Sequence, residues 1–481
     1  MGPKYGYYPK PSKSFIIVKH QYEQNAREIF SDTNINVTVS RAKHLGAVIG
    51  DLSFKEDYIK EKVESWCQQL EIFSQIAELQ PQAAYSAYIN GFKHKFTYFL
   101  RTISNFENYM QPIEEVIRLK FIPAITGGYI CSDNERKLLA LPIKFGGLSL
   151  LKYNETQNIE YRNSRKITKE LTENIILQNK QFQINNEEIK KTKKKIKTVK
   201  QINYQNKLEE LSSNMNEQCK RNIEIIRETG SSNWLSVVPI KEYNYTLNKQ
   251  QFWDSLRLRY NWPIPGLPTM CPCGEKFNVQ HALSCKKGGF ITLSHNEVRD
   301  ITATSLSEVC KDVEVEPSLI KLQGEEQRLN NTAKTQDDVR LDFCGRGFWI
   351  RGQRAFFDVR VFNPNAQRYL RQTLKQSFAV NEREKKHHYN RRIMEVDQGS
   401  FTPLVFTLNG GMAGECKVFY SRLAMLLSSK RGVEKSQVTT WIRTKINFAL
   451  LRSMILCLRG SRTTSSGIKE SIDIELESTY I

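Results

Sequence analysis

Residues 271 to 285 read CPCGEKFNVQHALSC, placing three cysteines and a histidine within fifteen positions. Four sulfur and nitrogen donors match the tetrahedral coordination of a closed, structural zinc site. Gly274 supplies a tight turn beside Cys271 and Cys273. His281 and Cys285 are four residues apart, so a helical turn points both to one side. The expected ligand set is therefore Cys271, Cys273, His281 and Cys285 around a structural Zn2+. The C-x-C gap is shorter than the usual spacing. The competing reading is three coincidental core cysteines and a surface histidine. The remaining thiols, Cys67, Cys131, Cys219, Cys310, Cys344, Cys416 and Cys457, are scattered and read as small buried hydrophobes. With no secretory signal, clustered thiols suggest a metal rather than disulfides.

Lys plus Arg outnumber Asp plus Glu by 71 to 51, a formal charge of +20. Such an excess favours a polyanionic partner, nucleic acid or an anionic membrane surface, although a merely soluble basic surface has the same totals. No apolar run reaches the roughly 18 residues needed to span a bilayer. The most apolar segment, FALLRSMILCLRG, is interrupted by Arg452 and reads as a core helix capped at Gly460. The opening MGPKYG has neither the apolar core of a signal peptide nor a myristoylation site. No membrane role is expected.

The 481 residues suffice for several domains of mixed α+β class. Residues 1–50 contain a short β-rich unit, with strands in SFIIVK and NVTVSRAKHLGAVIG. Residues 51–155 read as helical: Val63, Trp66, Leu70, Phe73 and Ile76 recur at helical spacing. Residues 156–230 form a polar, basic helical linker around EEIKKTKKKIKTVK. Its Lys191, Lys193, Lys194 and Lys195 could be a solvated helical face, a strip contacting phosphates or a nuclear-import signal. Residues 231–290 lead into and include the knuckle, residues 291–460 form an α/β domain, and residues 461–481 read as a disordered tail.

The chemistry-bearing part follows the knuckle. SHNEVRDITATSLSEVC reads as an amphipathic helix with Val298, Ile301, Leu306 and Val309 inward. Glu297 is a possible metal-facing acid, and Ser294, three residues earlier, suggests a capping box instead. Two strands then carry acids. In VRLDFCG, Val339, Leu341 and Phe343 share one face and Arg340 and Asp342 the other. In FFDVRVF, Phe357, Val359 and Val361 oppose Asp358 and Arg360. The short link GRGFWIRGQRA suits a hairpin that sets Asp342 beside Asp358. Two such carboxylates repel unless a divalent cation lies between them, and hard oxygen ligands suit Mg2+. Arg360 falls on the face of Asp358, where its fixed charge can steady a phosphate. Downstream, EREKKHHYNRR offers Lys385, Lys386 and Tyr389. The bland alternative is a pair of surface salt bridges, Asp358–Arg360 and Asp342–Arg340.

The order of knuckle, HNE helix, RLD, FFDVRV and KKHHY resembles the C-terminal end of non-LTR retrotransposon polyproteins, those with a restriction-enzyme-like endonuclease. Upstream, GPKYGYYPKPSKSFIIVK, RAKHLGAVIG, QPQAAYSAY, FIPAITGGYICSDNERKLLALPIKFGGLSL and FWDSLRLRYNWPIP are similar to the post-palm region, thumb and connector of the same proteins. The resemblance runs from residue 2 to about residue 460. It implies that residues 1–50 are post-catalytic palm strands, 51–155 a thumb, and 291–460 a nuclease of the PD-(D/E)XK group. Asp342 and Asp358 would then be its Mg2+-binding acids, and Lys385 or Lys386, ahead of Tyr389, its displaced catalytic lysine. Leu341 stands where the family has proline, and His388 where it often has lysine. The knuckle would grip target DNA near the cut, with Lys286 and Lys287 following it, and Lys13 would match the lysine beyond the polymerase's catalytic strand.

Polymerisation by this family needs palm aspartates holding two Mg2+ ions. The only Asp-Asp here is Asp337–Asp338, in the nuclease region. The chain is thus expected to lack the palm and not to polymerise alone. The expected function is Mg2+-dependent nicking of DNA in the nucleus, with DNA and element RNA as partners. The alternatives are a catalytically dead remnant that only binds nucleic acid, and a zinc-stabilised interaction protein. The residues leave the oligomeric state open.

Overall fold

A computed structural model describes residues 4, 6, 8, 10–39, 41–44, 47–50, 52–179, 182–319 and 340–462. The class is mixed α+β. In chain order the regular elements begin with β1 (Phe15–Ile17), α1 (Glu23–Ile29), β2 (Asn36–Thr38), β3 (Arg41–His44) and β4 (Ala47–Gly50). Helices α2 (Leu52–Leu79), α3 (Pro81–Ala87), α4 (Lys93–Thr102), α5 (Gln111–Val116), α6 (Ile122–Thr126), α7 (Asp133–Ala140), α8 (Tyr153–Ile176), α9 (Asn186–Ser213), α10 (Glu217–Arg227) and α11 (Lys249–Tyr260) follow. The C-terminal part has α12 (Val279–Ala282), α13 (Phe290–Ser307), β5 (Lys311–Val315), β6 (Phe343–Arg346), β7 (Arg354–Phe362), α14 (Leu374–Glu395), β8 (Ser400–Thr407), α15 (Gly414–Arg431) and α16 (Lys435–Arg459). The chain divides into two compact units. The first comprises residues 1–79, 87–141 and 149–209, and the second 80–86, 142–148 and 210–481. The division at Glu209 falls inside the segment read as a basic linker, 156–230.

In the first unit, β1 and β2 pair in parallel and β3 and β4 form an antiparallel hairpin. Helix α2 buries Tyr58, Ile59, Val63, Trp66, Leu70, Ser74 and Ala77. Ile76, expected inward, is 47% exposed, and Phe73 is only half-buried. At about 3.6 residues per turn, positions 63, 66, 70, 74 and 77 hold one line while 76 rotates off it. Trp66 meets Phe96 and Phe99 edge-on, with centroids 5.1 and 4.7 Å apart. The polar centre of this unit is Arg136, whose Nε and Nη2 grip Glu114 at 2.8 and 2.6 Å and whose Nη1 donates to the Leu150 carbonyl at 2.7 Å. Both side chains are buried. Arg136→Ala would strand the Glu114 charge, and we expect a loss of about 3–5 kcal/mol by urea unfolding; an unchanged midpoint would show that the pair contributes nothing. The basic segment is helical: α9 leaves Lys191, Lys193, Lys194 and Lys195 exposed, and lies along α8 through Lys200–Glu160 and Lys207–Glu155 ion pairs.

The second unit is organised by a four-stranded sheet of order β5-β6-β7-β8. Strands β5, β6 and β7 are antiparallel neighbours, and β8 is parallel to β7. A parallel partner needs a long crossover, and α14 provides it. One sheet face packs Phe343, Phe357 and Val359 against Val298 and Leu306 of α13, Phe419 and Leu423 of α15 and Ile446 of α16. The other face packs Cys344, Phe356 and Phe401 against Leu341 and against Ile393 and Tyr389 of α14. Alternation along β7 therefore sends Phe357 and Val359 one way, as expected from the pattern. Of the thiols expected to be buried, Cys131, Cys344, Cys416 and Cys457 are, while Cys67, Cys219 and Cys310 are half-exposed.

Three local expectations change. Helix α13 begins at Phe290 behind Gly289, whose φ of 72° turns the chain into it. Ser294 therefore sits inside the helix and is not a cap. Gly460 does end α16, but with φ −67° rather than a left-handed cap. Glycine is needed there for space: a Cβ would come 2.6 Å from the Leu456 carbonyl and 2.7 Å from the Phe290 ring. Arg462, placed in the tail by sequence, is buried and donates to the carbonyls of Lys287 at 2.9 Å, Ala282 at 3.2 Å and Cys457. Residues 463–481 of the tail, and Asp337, Asp338 and Val339, lie outside the described residues.

Candidate functional site

The knuckle forms from local turns. Gly274, at φ 94°, closes a turn in which its N–H donates to the Cys271 carbonyl at 2.8 Å. Asn278 caps α12 by accepting from the His281 N–H at 2.9 Å. The Cys285 N–H donates to the His281 carbonyl at 2.8 Å, which stacks the two ligands on one side. Sγ of Cys271 lies 3.8 Å from Sγ of Cys285, and Sγ of Cys273 lies 3.3 Å from Nε2 of His281. All four ligand atoms fall within 4.8 Å of one another. The group could hold a metal ion, and its donor set is compatible with zinc. Burial would raise the Cys271 thiol, but the Cys273 backbone and the neighbouring ligands outweigh it and bring it down to about 6. A lowered thiol favours the thiolate, the form that binds metal. Apolar backing comes from Phe277, Ala282, Leu458 and Leu258. Lys286 and Lys287 follow, exposed. Lys13, far away in sequence, is exposed at the end of a single turn, Pro11–Lys13, of the first unit.

The acid pair forms from sheet register. β6 and β7 are joined by a tight link in which the Gly347 N–H donates to the Gln353 carbonyl at 2.9 Å. Phe343 pairs with Phe357, so the preceding Asp342 falls beside Asp358. Asp342 accepts through one carboxylate oxygen from the Val359 backbone N–H. Its other oxygen is 2.8 Å from Nε2 of His295 on α13. Asp358 is 4% exposed, with Lys385 Nζ 2.6 Å from its Oδ2. Burial pushes the Asp358 carboxyl up to about 6; Lys385 opposes the rise and the charge of Asp342 adds to it. Burial alone would lower Lys385, but the facing Asp358 carboxylate holds it above the ordinary lysine range.

The two candidate lysines thus diverge. Lys385 faces the acids, whereas Lys386, one residue on, turns to Glu415 at 2.7 Å. Tyr389 lies below Lys385, with the ammonium 5.8 Å from its ring centroid and Phe401 packed 5.6 Å away. Burial and the nearby acids raise the Tyr389 hydroxyl. Neither expected salt bridge forms: Asp358 pairs with Lys385, and Arg340 lies 3.7 Å from Glu316. Arg360 is half-buried one alternation beyond Asp358. Glu297 is not at the acids; its charged neighbours are Arg452 and Asp300.

His295 was not singled out from the sequence. Its place in SHNEVRD gives no spacing signal, because it meets Asp342 only when α13 packs on the sheet, 47 residues away in the chain. Among the described residues, the knuckle is the one group of three or more Cys, His, Asp or Glu side chains whose ligand atoms converge this closely. No described helix is long and apolar enough to cross a membrane. No protein-family model matches the chain, and no curated protein matches it.

Proposed function

We propose that the chain is a retroelement-derived nucleic-acid-binding protein whose second unit carries a metal-dependent DNA endonuclease of the restriction-like, PD-(D/E)XK kind found in non-LTR retrotransposon proteins. The observation that carries this reading is the meeting of Asp342, Asp358 and Lys385 at one point on the sheet, supplied by two strands and the crossover helix. Such a cluster has excess negative charge in a dry setting, and two carboxylates are hard oxygen donors of the type Mg2+ takes. A bound Mg2+ would supply Lewis-acid polarisation of the phosphodiester. The remaining roles belong to the chain. Asp342 and Asp358 would hold the cation, Lys385 would orient or neutralise the group replacing it at Asp358, and Arg360 would steady the phosphate without exchanging a proton. The knuckle, filled by Zn2+, and the exposed Lys286 and Lys287 would hold DNA near the cut. The upstream segments would be palm strands, thumb and basic linker, with Lys191, Lys193, Lys194 and Lys195 available to phosphates or to nuclear import, and Lys13 to nucleic acid.

The test is conversion of supercoiled plasmid to open circles by the purified chain, with Mg2+ and with EDTA. Nicking in Mg2+ alone is expected. We also expect Lys385→Met to lower the nicking rate by at least about a hundredfold, while Lys386→Met stays within about threefold. Equal losses in the two variants would remove the assignment of Lys385.

A second reading has its own observation. Asp358 is already neutralised by Lys385, an arrangement that also suits a purely structural ion pair in a protein that only binds nucleic acid. Under it, DNA binding survives EDTA and no nicking occurs at any concentration of Mg2+ or Mn2+.

A further inference from the structure

We infer that His295 is a positioning residue that holds Asp342 in the orientation needed to share a divalent cation with Asp358. This rests on the nuclease reading above. Asp342 lies at a bend one residue before β6, so the sheet ladder does not fix its side chain. Two contacts do. The Val359 N–H, on the residue after Asp358, donates to Oδ2, and the His295 Nε2–H donates to Oδ1 at 2.8 Å. Each carboxylate oxygen has two lone-pair directions. One protein donor on each oxygen orients the group and leaves one direction on each free for a cation.

The geometry favours a hydrogen-bonding role over a ligand role for the imidazole. Nε2 is directed at Oδ1 at hydrogen-bond distance, so it cannot also offer a lone pair to the ion. The ring is carried on a well-packed helix: its neighbours on α13, Ser294 and Val298, are 3% and 0% exposed, while the His295 side chain is 28% exposed. Helix α13 thus reaches the acid pair through the His295 contact with Asp342, while β7 reaches the same carboxylate through the Val359 N–H. Partners of this kind, hydrogen-bonded to a metal-binding carboxylate, typically contribute 10- to 100-fold to metal affinity.

The test is Mn2+ binding to the zinc-loaded chain, followed by the electron-spin-resonance signal of free Mn2+, alongside thermal melting without Mn2+. For His295→Ala we expect Mn2+ affinity to fall about 10- to 100-fold with melting unchanged. His295→Gln, whose amide N–H can reach the same oxygen, should restore affinity to within about threefold of the native chain. Native affinity in His295→Ala would overturn the inference. So would failure of the Gln variant to recover while it melts normally. If the native chain binds Mn2+ and Asp358→Asn does not, the nuclease reading stands even where His295 fails. If the native chain binds no Mn2+ beyond the knuckle, both fall together.

Discussion

Asp358→Ala is expected to reduce Mg2+-dependent nicking by about a thousandfold or more, since a bound cation supplies several kcal/mol of charge stabilisation and each 1.4 kcal/mol is a tenfold change. The substitution also leaves Lys385 buried without its partner, so melting must be measured on the same preparation. Asp342→Asn provides the control: it keeps the volume and one acceptor oxygen for the Val359 N–H, turns an amide N–H toward His295 in place of the second oxygen, and removes a charge from the pair. Both variants should lose activity, and the second should keep its fold. A folded Asp342→Asn chain with native nicking would end the assignment.

The same carboxyl predicts a pH profile. Asp358 takes up its proton at about 6 in the folded chain, against 3.8 for an ordinary aspartate. Between these values the folded state binds more protons than the unfolded state. Stability of the metal-free chain should therefore fall as pH rises from about 4 to about 6, and then level off. Cation binding requires the ionised form, so nicking should rise through pH 6. Raising Mg2+ should displace that limb to lower pH, because proton and cation compete for one carboxylate. A limb that does not move with Mg2+ would separate the titration from the metal.

Removal of the knuckle's metal is expected to have the other large effect. The segment has little regular structure of its own: α12 is one turn, and its apolar backing is a small cluster. Structural zinc in such motifs contributes on the order of 10 kcal/mol to local folding. We expect one equivalent of zinc in the purified protein, and loss of amide protection over residues 271–285 when a chelator strips it. Cys285→Ser should reproduce the loss. The opening should extend to Leu458 and Arg462, which pack on and hydrogen-bond to the knuckle. Full protection in metal-free protein would show that apolar packing alone holds these four side chains together.

The knuckle was legible in the sequence because its geometry is local. A glycine turn and one helical turn, both determined by neighbours within fifteen residues, bring the ligands together. The adjacency of the two acids was legible for a related reason: a short link sets strand register, and Phe343 opposite Phe357 carries Asp342 to Asp358. The shared face expected for Leu341 and Phe343 does not form, because β6 starts only at Phe343 and Leu341 packs with Cys344 on the other side. The choice between Lys385 and Lys386 was not legible. Adjacent residues on a helix point about 100° apart, and only the placement of α14 on the sheet decides which one meets Asp358. The Ser-x-x-Glu signature at Ser294 does not mark the start of α13, because the turn at Gly288 and Gly289 begins the helix earlier.

The sequence by itself determined the donor types and spacing of the Cys/His cluster, the alternation along β7 and the basic balance of the chain. Each follows from covalent order and from periods of two or about 3.6 residues. The tertiary structure alone decided that Asp358 is buried, that Lys385 and not Lys386 answers it, and that His295 meets Asp342. Those facts depend on how helices approach a sheet, and that approach is set by the packing of side chains on both its faces, beyond the reach of any local pattern.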